Sequence, residues 1–352
     1  MKKNLKYIAL GICLLSFVSC STENDGDEDE ENIEYINSAS PAEAEYTYPD
    51  LDELPTLNDG SATLELKDCL TDHIYVYPSD DERKGSISAS FTPVLGEYLW
   101  YTKNGDDPDS EWTEISGETG KTLSITIPAG ESTTYYALRH TYYEGRLYSN
   151  ICTVKSSYKF DKIGYLAYAD GTCSSSYTKT KTLLGVVYDV DEEGNPVRYT
   201  DYKKLSSDNL SWAKKGSTGA SALIKTSFTD GSLNWDIIKE ADPEGAASAK
   251  ENYPAFAACS EKTTGGKSWY LPARDELVQM SFNKDMIDKG LKTAAKKVSV
   301  SYLTGSGSFW SSSQSLLEDD STYAWAAFIG TGNAQLKNTK TISLGVRAVG
   351  KF

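Results

Sequence analysis

Three charged residues in a row, Arg274, Asp275 and Glu276, stand inside the stretch SWYLPARDELVQM, residues 268–280. Such a row can divide acid and base work between two carboxylates, as glycoside hydrolysis requires. It can clamp a ligand. Or it can decorate the start of a helix, where carboxylates are favoured by about 0.3–1 kcal/mol each. The neighbouring residues favour the third reading. Pro272 has a fixed φ and no N–H, which suits a first helical turn. Leu277 shares a helical face with Met280 and with Ser281, so the helix offers a narrow apolar stripe. Trp269 and Leu271 read as strand-like core residues ahead of it.

Other reactive constellations are absent. A serine hydrolase needs a histidine in reach, yet the chain has two, His73 and His140, both in its first half, and no GxSxG motif. TGSGSFW and TGGK are Gly-rich loops without P-loop spacing. No CxxC pair suggests zinc. Many acids are present, but nothing singles out a catalytic pair. The chain therefore reads as a non-enzyme with no cofactor and no bound metal.

The elements that must position these residues come next. Of 352 residues, 39% are hydrophobic, enough for packed cores in two domains. The 24 tyrosines and frequent Ser and Thr lean toward β structure. Residues 1–19 have a signal-peptide pattern: Lys2, Lys3 and Lys6, then the 12-residue apolar run YIALGICLLSFV. Such a run is too short for a stable membrane span. It ends at Val18-Ser19-Cys20, which resembles a bacterial lipobox with Phe17 where Leu is commoner. The expectation is a lipid anchor on Cys20. Residues 20–60 form an acidic tether. Between Ser21 and Leu54 lie 13 acids and no Lys or Arg, so of the formal −16, with the leader's three Lys discounted, only −6 falls on residues 55–352. A like-charged block self-repels and stays extended. An acidic run just after the lipidated Cys also resembles the export signal of surface lipoproteins. It implies an outer-membrane lipoprotein facing outward. With no basic stripe to neutralise phosphates, nucleic acid is not an expected partner.

Residues 61–156 alternate apolar and polar residues in short runs: ATLELKD, SISASF, EYLWYTKNG, EWTEI, TLSITIP, TTYYALRHTYY and LYSNICTVK. Turn clusters separate them, the pattern of a β-sandwich. Trp100 reads as core. Residues 160–352 change texture. IGYLAYADGTCSSS and TLLGVVYDVDEEGNPVRYT predict strands with a charged turn. Residues 244–260, 272–282 and KDMIDKGLKTAAKK predict helices, the last rich in Lys at its C-terminal end. SGSFWSSSQ, YAWAAFIGTG and SLGVRAVGKF predict strands, with Trp310, Trp325 and Phe328 facing inward. Outside the cytosol four cysteines, Cys69, Cys152, Cys173 and Cys259, allow three disulfide connectivities. Chain organisation favours Cys69 with Cys152 and Cys173 with Cys259.

EYLWYTKNGDDPDSEWTEISGETGKTLSI followed by TTYYALRHTYYEGRLYSN resembles the immunoglobulin-like modules of bacterial surface proteins. SWYLPARDEL resembles the WxLPxxxEL signature of the Fibrobacter major paralogous and DUF1566-type domains. IGYLAYADGT, YPAFAAC, FWSSSQ, AWAAFIGTGN and GVRAV follow that family's landmarks in order, although the ending Gly350-Lys351-Phe352 departs from it. The resemblance implies a multidomain protein: an all-β immunoglobulin-like sandwich, then an α+β C-type-lectin-like domain. It also implies a ligand-binding role for an unknown protein or glycan partner. Formylglycine-generating enzymes share the fold but need a cysteine motif that this chain lacks. The EPN- or QPD-like and WND-like triplets of calcium-dependent lectins are missing too. In this fold the segment after the Trp-Ser-Ser step is a display surface. Here that nominates Leu316, Leu317, Glu318, Asp319, Asp320 and Tyr323, with Gln335, Lys337 and Lys340 on the rim, for recognition. Some relatives diversify this segment through retroelements and are asparagine-dense there. With only Asn333 and Asn338, this chain is compatible with a diversified copy or a fixed relative. A glycan-processing accessory protein and a fimbrial or surface-layer component are the alternatives.

The anchor assignment has a direct test. Metabolic palmitate labelling of the full chain is expected to disappear in Cys20→Ser, with the protein leaving the membrane fraction; retained label would refute lipidation at Cys20.

Overall fold

The computed structural model describes residues 69–89, 97–142, 145–205, 209–305, 307–314, 321–329 and 334–352. The leader, Cys20, the acidic tether and ATLELKD lie outside them. So do Leu316, Leu317, Glu318, Asp319 and Asp320, and the side chain of Gln335.

In the first half, alternation builds the sheets. Strands β1 (His73–Val76), β2 (Arg83–Ser88), β3 (Glu97–Asn104), β4 (Thr113–Glu114), β5 (Thr122–Ile127), β6 (Ser132–Tyr142), β7 (Gly145–Tyr148) and β8 (Cys152–Ser156) form two sheets. One has the order β1-β8-β6-β3-β4, with β7 also on β6; the other pairs β2 with β5. In β5 every second residue, Leu123, Ile125 and Ile127, is buried and the others are exposed. Trp100 on β3 is fully buried, and its indole Nε1 donates to Gly120 O at 2.8 Å. The first strand, β1, lies parallel to the last, β8.

The second half is α+β. Strands β9 (Leu166–Tyr168), β10 (Cys173–Ser174), β11 (Leu183–Val190) and β12 (Pro196–Asp201) precede the short β13 (Leu210–Ser211). Helices α1 (Gly231–Ala241), α2 (Pro243–Ala247), α3 (Ala249–Asn252), α4 (Pro254–Ser260), α5 (Arg274–Phe282) and α6 (Lys284–Ala295) follow. The chain closes with β14 (Ser308–Gln314), β15 (Tyr323–Phe328), β16 (Ala334–Thr339), β17 (Ser343–Leu344) and β18 (Val349–Lys351). The main sheet runs β10-β9-β11-β12-β18, so the chain's end is stitched beside strands from the start of this half. β14-β15-β16 is a separate antiparallel sheet. Pro254 opens α4, where its missing N–H costs nothing. No helix among the described residues is long and apolar enough to cross a membrane.

α5 differs from its sequence expectation. It begins at Arg274, two residues beyond Pro272, and all nine of its residues are buried. It carries no narrow stripe because it packs on both sides. Leu277 and Met280 enter a core with Tyr188, Ile287 and Phe309, whereas Val278 and Phe282 enter the sandwich core beside Ile74 and Trp100. Its polar residues face the first half as well. The Gln279 side chain imitates a strand, accepting from Tyr75 N at 3.1 Å and donating to Tyr75 O at 2.8 Å. Asn283 Nδ2 also donates to Tyr75 O, at 2.8 Å. All described residues accordingly belong to one compact unit.

Two sequence landmarks meet at the start of α5. The register between β14 and β15 shifts between Trp310 and Gln314, which leaves Ser311–Ser313 out of regular pairing before Gln314 pairs with Ala324. Their polar groups bond elsewhere. Ser312 N donates to Pro272 O at 2.7 Å, and Arg274 N donates to Ser313 Oγ at 2.9 Å. Ser313 Oγ donates to Ser227 O, and Ser312 Oγ accepts from Asn234 Nδ2. All four residues, Ser311 to Gln314, are completely buried. Trp310 and Trp325 are buried as expected, while Phe328 is half-buried.

The expected disulfides are not formed. Cys152, Cys173 and Cys259 are thiols. Burial pushes the Cys152 and Cys259 thiols up, so both are held as inert, core-filling groups rather than reactive thiolates.

Replacing both Gln279 and Asn283 by Ala removes the bonds to Tyr75 and leaves its backbone groups unpaired. At about 1–3 kcal/mol for each orphaned group, the double variant is expected to lose roughly 2–5 kcal/mol. Its single calorimetric transition should divide into two. One unshifted transition would refute the coupling.

Candidate functional site

The row Arg274-Asp275-Glu276 does not present itself to solvent as a catalytic cluster. Arg274 is 1% exposed. Its guanidinium pairs with Asp275 Oδ1, through Nε at 2.6 Å and Nη2 at 2.5 Å, and Nη1 donates to Cys69 O at 3.3 Å. Phe228 lies against its cationic face, with the ring centroid 5.0 Å from Cζ. Asp275 Oδ1 also accepts from Thr71 Oγ1 at 3.1 Å, a bond that joins the two halves. Removing either partner of such a buried pair leaves an uncompensated charge and costs about 3–5 kcal/mol.

Glu276, third in the helix, folds back over its start. Oε2 accepts from Ala273 N at 2.7 Å and from Gly231 N at 3.1 Å; Oε1 accepts from Tyr270 Oη at 2.9 Å and lies 2.9 Å from Arg198 Nε. The first is the glutamate half of a capping box. The second ties the N-terminus of α1 to that of α5, and it needs glycine. A Cβ on Gly231 would stand 2.4 Å from Leu271 O and 2.9 Å from Glu276 Oε2.

Beside these groups, where the halves meet, lies a cleft of about 240 Å³. Thr71, Asp72 and His73 lead into β1. Asp189 and Arg198 come from the β11–β12 hairpin, Thr229 and Asp230 from the cap of α1, and Asp275, Glu276 and Gln279 from α5. Arg198 bridges two acids: Nη1 donates to Asp189 Oδ2 at 2.6 Å, while Nε faces Glu276. Burial pushes the Glu276 carboxyl up to about 7, against the pull of Arg198 and of the bonds from Ala273 N and Tyr270 Oη. Burial likewise raises Asp275 despite Arg274. Chemically the cleft is an acceptor-rich, acidic pocket. Its hydroxyls are those of Thr71 and Thr229, and Thr71 Oγ1 donates to Asp275 Oδ1. Glu276 accepts three hydrogen bonds and pairs with Arg198 at 3% exposure, which leaves it poorly placed as a general acid.

The nominated display residues fare differently. Tyr323 begins β15 and is half-buried, and Lys337 on β16 is exposed. Lys340 does not stand on a rim. It is completely buried, with Nζ donating to Gly219 O at 2.9 Å and Ala222 O at 2.8 Å and lying 4.8 Å from the centroid of the Trp212 ring. Burial lowers its amine to about 7. Two carbonyls and an aromatic face make it an internal brace. The base of the 315–320 segment is nevertheless held firmly. Gln314 Nε2 donates to Ser321 O at 3.2 Å, and Lys340 N donates to Thr322 O at 2.9 Å.

Sequence reasoning missed Asp72, Asp189, Arg198 and Asp230 as wall residues, because four distant segments supply them. One signal was available: Asp189 interrupts LLGVVYDV, a strand buried at every position. No protein-family model matches the chain, and no curated protein matches it.

Glu276 gives a signed pH effect. With its folded pKa raised from 4.5 to about 7, its contribution to stability is complete below 4.5 and is lost as pH rises through 7, about 3 kcal/mol in all. Glu276→Gln is expected to flatten the fall in Tm between pH 4.5 and 7.5; an unchanged slope would refute the assignment.

Proposed function

We propose that the chain is a surface-exposed bacterial lipoprotein that binds a protein or glycan and performs no catalysis. In this reading an immunoglobulin-like module and a C-type-lectin-like domain of the DUF1566 type stand on a lipidated acidic tether. The immunoglobulin-like reading is supported by the parallel β1–β8 pairing, the two-sheet arrangement and the buried Trp100 on the third strand. The C-type-lectin-like reading is supported by a sheet that brings β18 beside β12 and by the landmark motifs knitted together at α5. Fold alone does not define function. The observation that carries the binding role is the clamped base of the 315–320 segment. Gln314 is completely buried, its Oε1 accepts from Ile224 N at 3.0 Å, and its Nε2 ties down Ser321. With the residues on either side of it held by a polar network, a six-residue segment can vary in sequence without disturbing its support.

The test is a matched-length replacement of residues 315–320 by Gly and Ser in the full chain, screened beside wild type on glycan and protein arrays. Specific binding by wild type, lost in the replacement while Tm changes by less than about 3 °C, is the expected outcome. Binding that survives the replacement would overturn the display role.

A further inference from the structure

We propose that Lys340 is a proton-operated latch: with its amine neutral it holds the loop 218–224 against the end of β16, and a proton on that amine favours release of the loop. The latch does not depend on the binding role proposed for residues 315–320.

The position of Lys340 defines what it joins. The residue directly follows β16, and its backbone is bonded on both sides. Lys340 N donates to Thr322 O at 2.9 Å, and Lys340 O accepts from Ala213 N at 3.1 Å. Its side chain leaves this framework for a distant segment. Nζ donates to Gly219 O at 2.9 Å and to Ala222 O at 2.8 Å, 121 and 118 positions earlier in the chain. Ala222 O also accepts from Gln314 Nε2 at 2.9 Å, and Ile224 N donates to Gln314 Oε1 at 3.0 Å. Few apolar contacts add to these bonds. Thr218, Ser221 and Leu223 are exposed, Leu223 at 37%, while Ala220 and Ile224 are the loop's buried apolar anchors.

The latch carries its charge without a counterion. Lys340 is completely buried, and no carboxylate pairs with it among the described residues. The elements packed around it bring few titratable groups. Tyr253 gives its hydroxyl to Asp242 Oδ2 at 2.7 Å, and Asp242 Oδ1 accepts from Gly245 N. Lys214, Lys215, Lys225 and Lys337 are exposed cations. Burial lowers the Lys340 amine to about 7, with no charged neighbour to offset it. A neutral amine already has two N–H groups, one for each carbonyl. What a further proton gains is the face of Trp212, 4.8 Å from Nζ. What it loses is the hydration of an unpaired ion. Protonation therefore favours a state in which the loop lifts and Nζ meets water.

The amine titrates near 10.5 when solvated and near 7 in the closed loop, so the cost of closure grows as pH falls from 10.5 and is complete below 7. Between pH 8.5 and 6.0 the opening equilibrium is expected to rise about thirtyfold.

Native-state hydrogen exchange on the full chain, purified in detergent, reads the latch through the Ile224 amide at pH 8.5 and 6.0, with rates corrected for intrinsic exchange. In wild type its protection is expected to fall about thirtyfold in acid. In Lys340→Met the fall is expected to shrink below about threefold. Lys340→Gln, which keeps two donors but does not titrate, serves if the methionine variant does not fold. Protection that is unchanged with pH in wild type, or that falls equally in the variant, would overturn the proposal. So would a Lys340 amine that titrates above about 9.5 by NMR of the wild-type chain.

Discussion

A helix buried on every face must find a partner for each face, and α5 finds its partners in two different cores. Leu277 and Met280 belong to the second half; Val278 and Phe282 belong to the sandwich. Burial of such side chains is worth about 1.5–3 kcal/mol each, so the two halves share an apolar interior instead of touching through wetted surfaces. That sharing has a polar consequence. The residues between the apolar ones are also taken out of water, and each must be matched. Arg274 is matched by Asp275 and Cys69 O, Gln279 by both backbone groups of Tyr75, and Glu276 by two amides, a phenol and a guanidinium. The matching is not complete: Ser281 Oγ, Asn283 Oδ1, Asp275 Oδ2 and Asp189 Oδ1 have no hydrogen-bond partner among the described residues.

The same requirement accounts for the Ser-rich strand. Ser311 to Ser313 leave the regular ladder before Gln314 rejoins it; side chains of this run bond to residues 222–227 and to Trp325, and the Ser312 amide bonds to Pro272. Small hydroxyls fit because backbone approaches closely from both sides. The LP step before α5 and the Ser run therefore depend on one another: Pro272 offers its carbonyl to Ser312, and Ser313 caps the Arg274 amide. Two motifs nearly forty residues apart form a single joint.

Much of the architecture was legible because it rests on local periodicity. The alternation in TLSITI, the Lys-rich end of α6 and the apolar strands around Trp310 and Trp325 each specify their element without help from distant residues. Asp275 and Glu276 were legible as helix-start chemistry. What escaped was decided by tertiary placement. Arg274, Gln279 and Asn283 look like surface residues, and their partners Cys69 and Tyr75 lie more than two hundred positions earlier. Lys340 looks like a rim lysine, but it follows β16 at a turn that points inward onto Trp212. The cysteines suggested bridges by counting, whereas Cys152 and Cys259 fill separate cores. The cleft itself had no linear signature, since its walls come from four segments.

Native-state hydrogen exchange on the amides of Leu277 to Phe282 tests the shared helix most directly. If α5 is common to both cores, these amides exchange only through global unfolding, with the same free energy and denaturant dependence as those of β3 and β11. Exchange of α5 through a smaller opening, while the sandwich and the main sheet remain protected, would contradict the account.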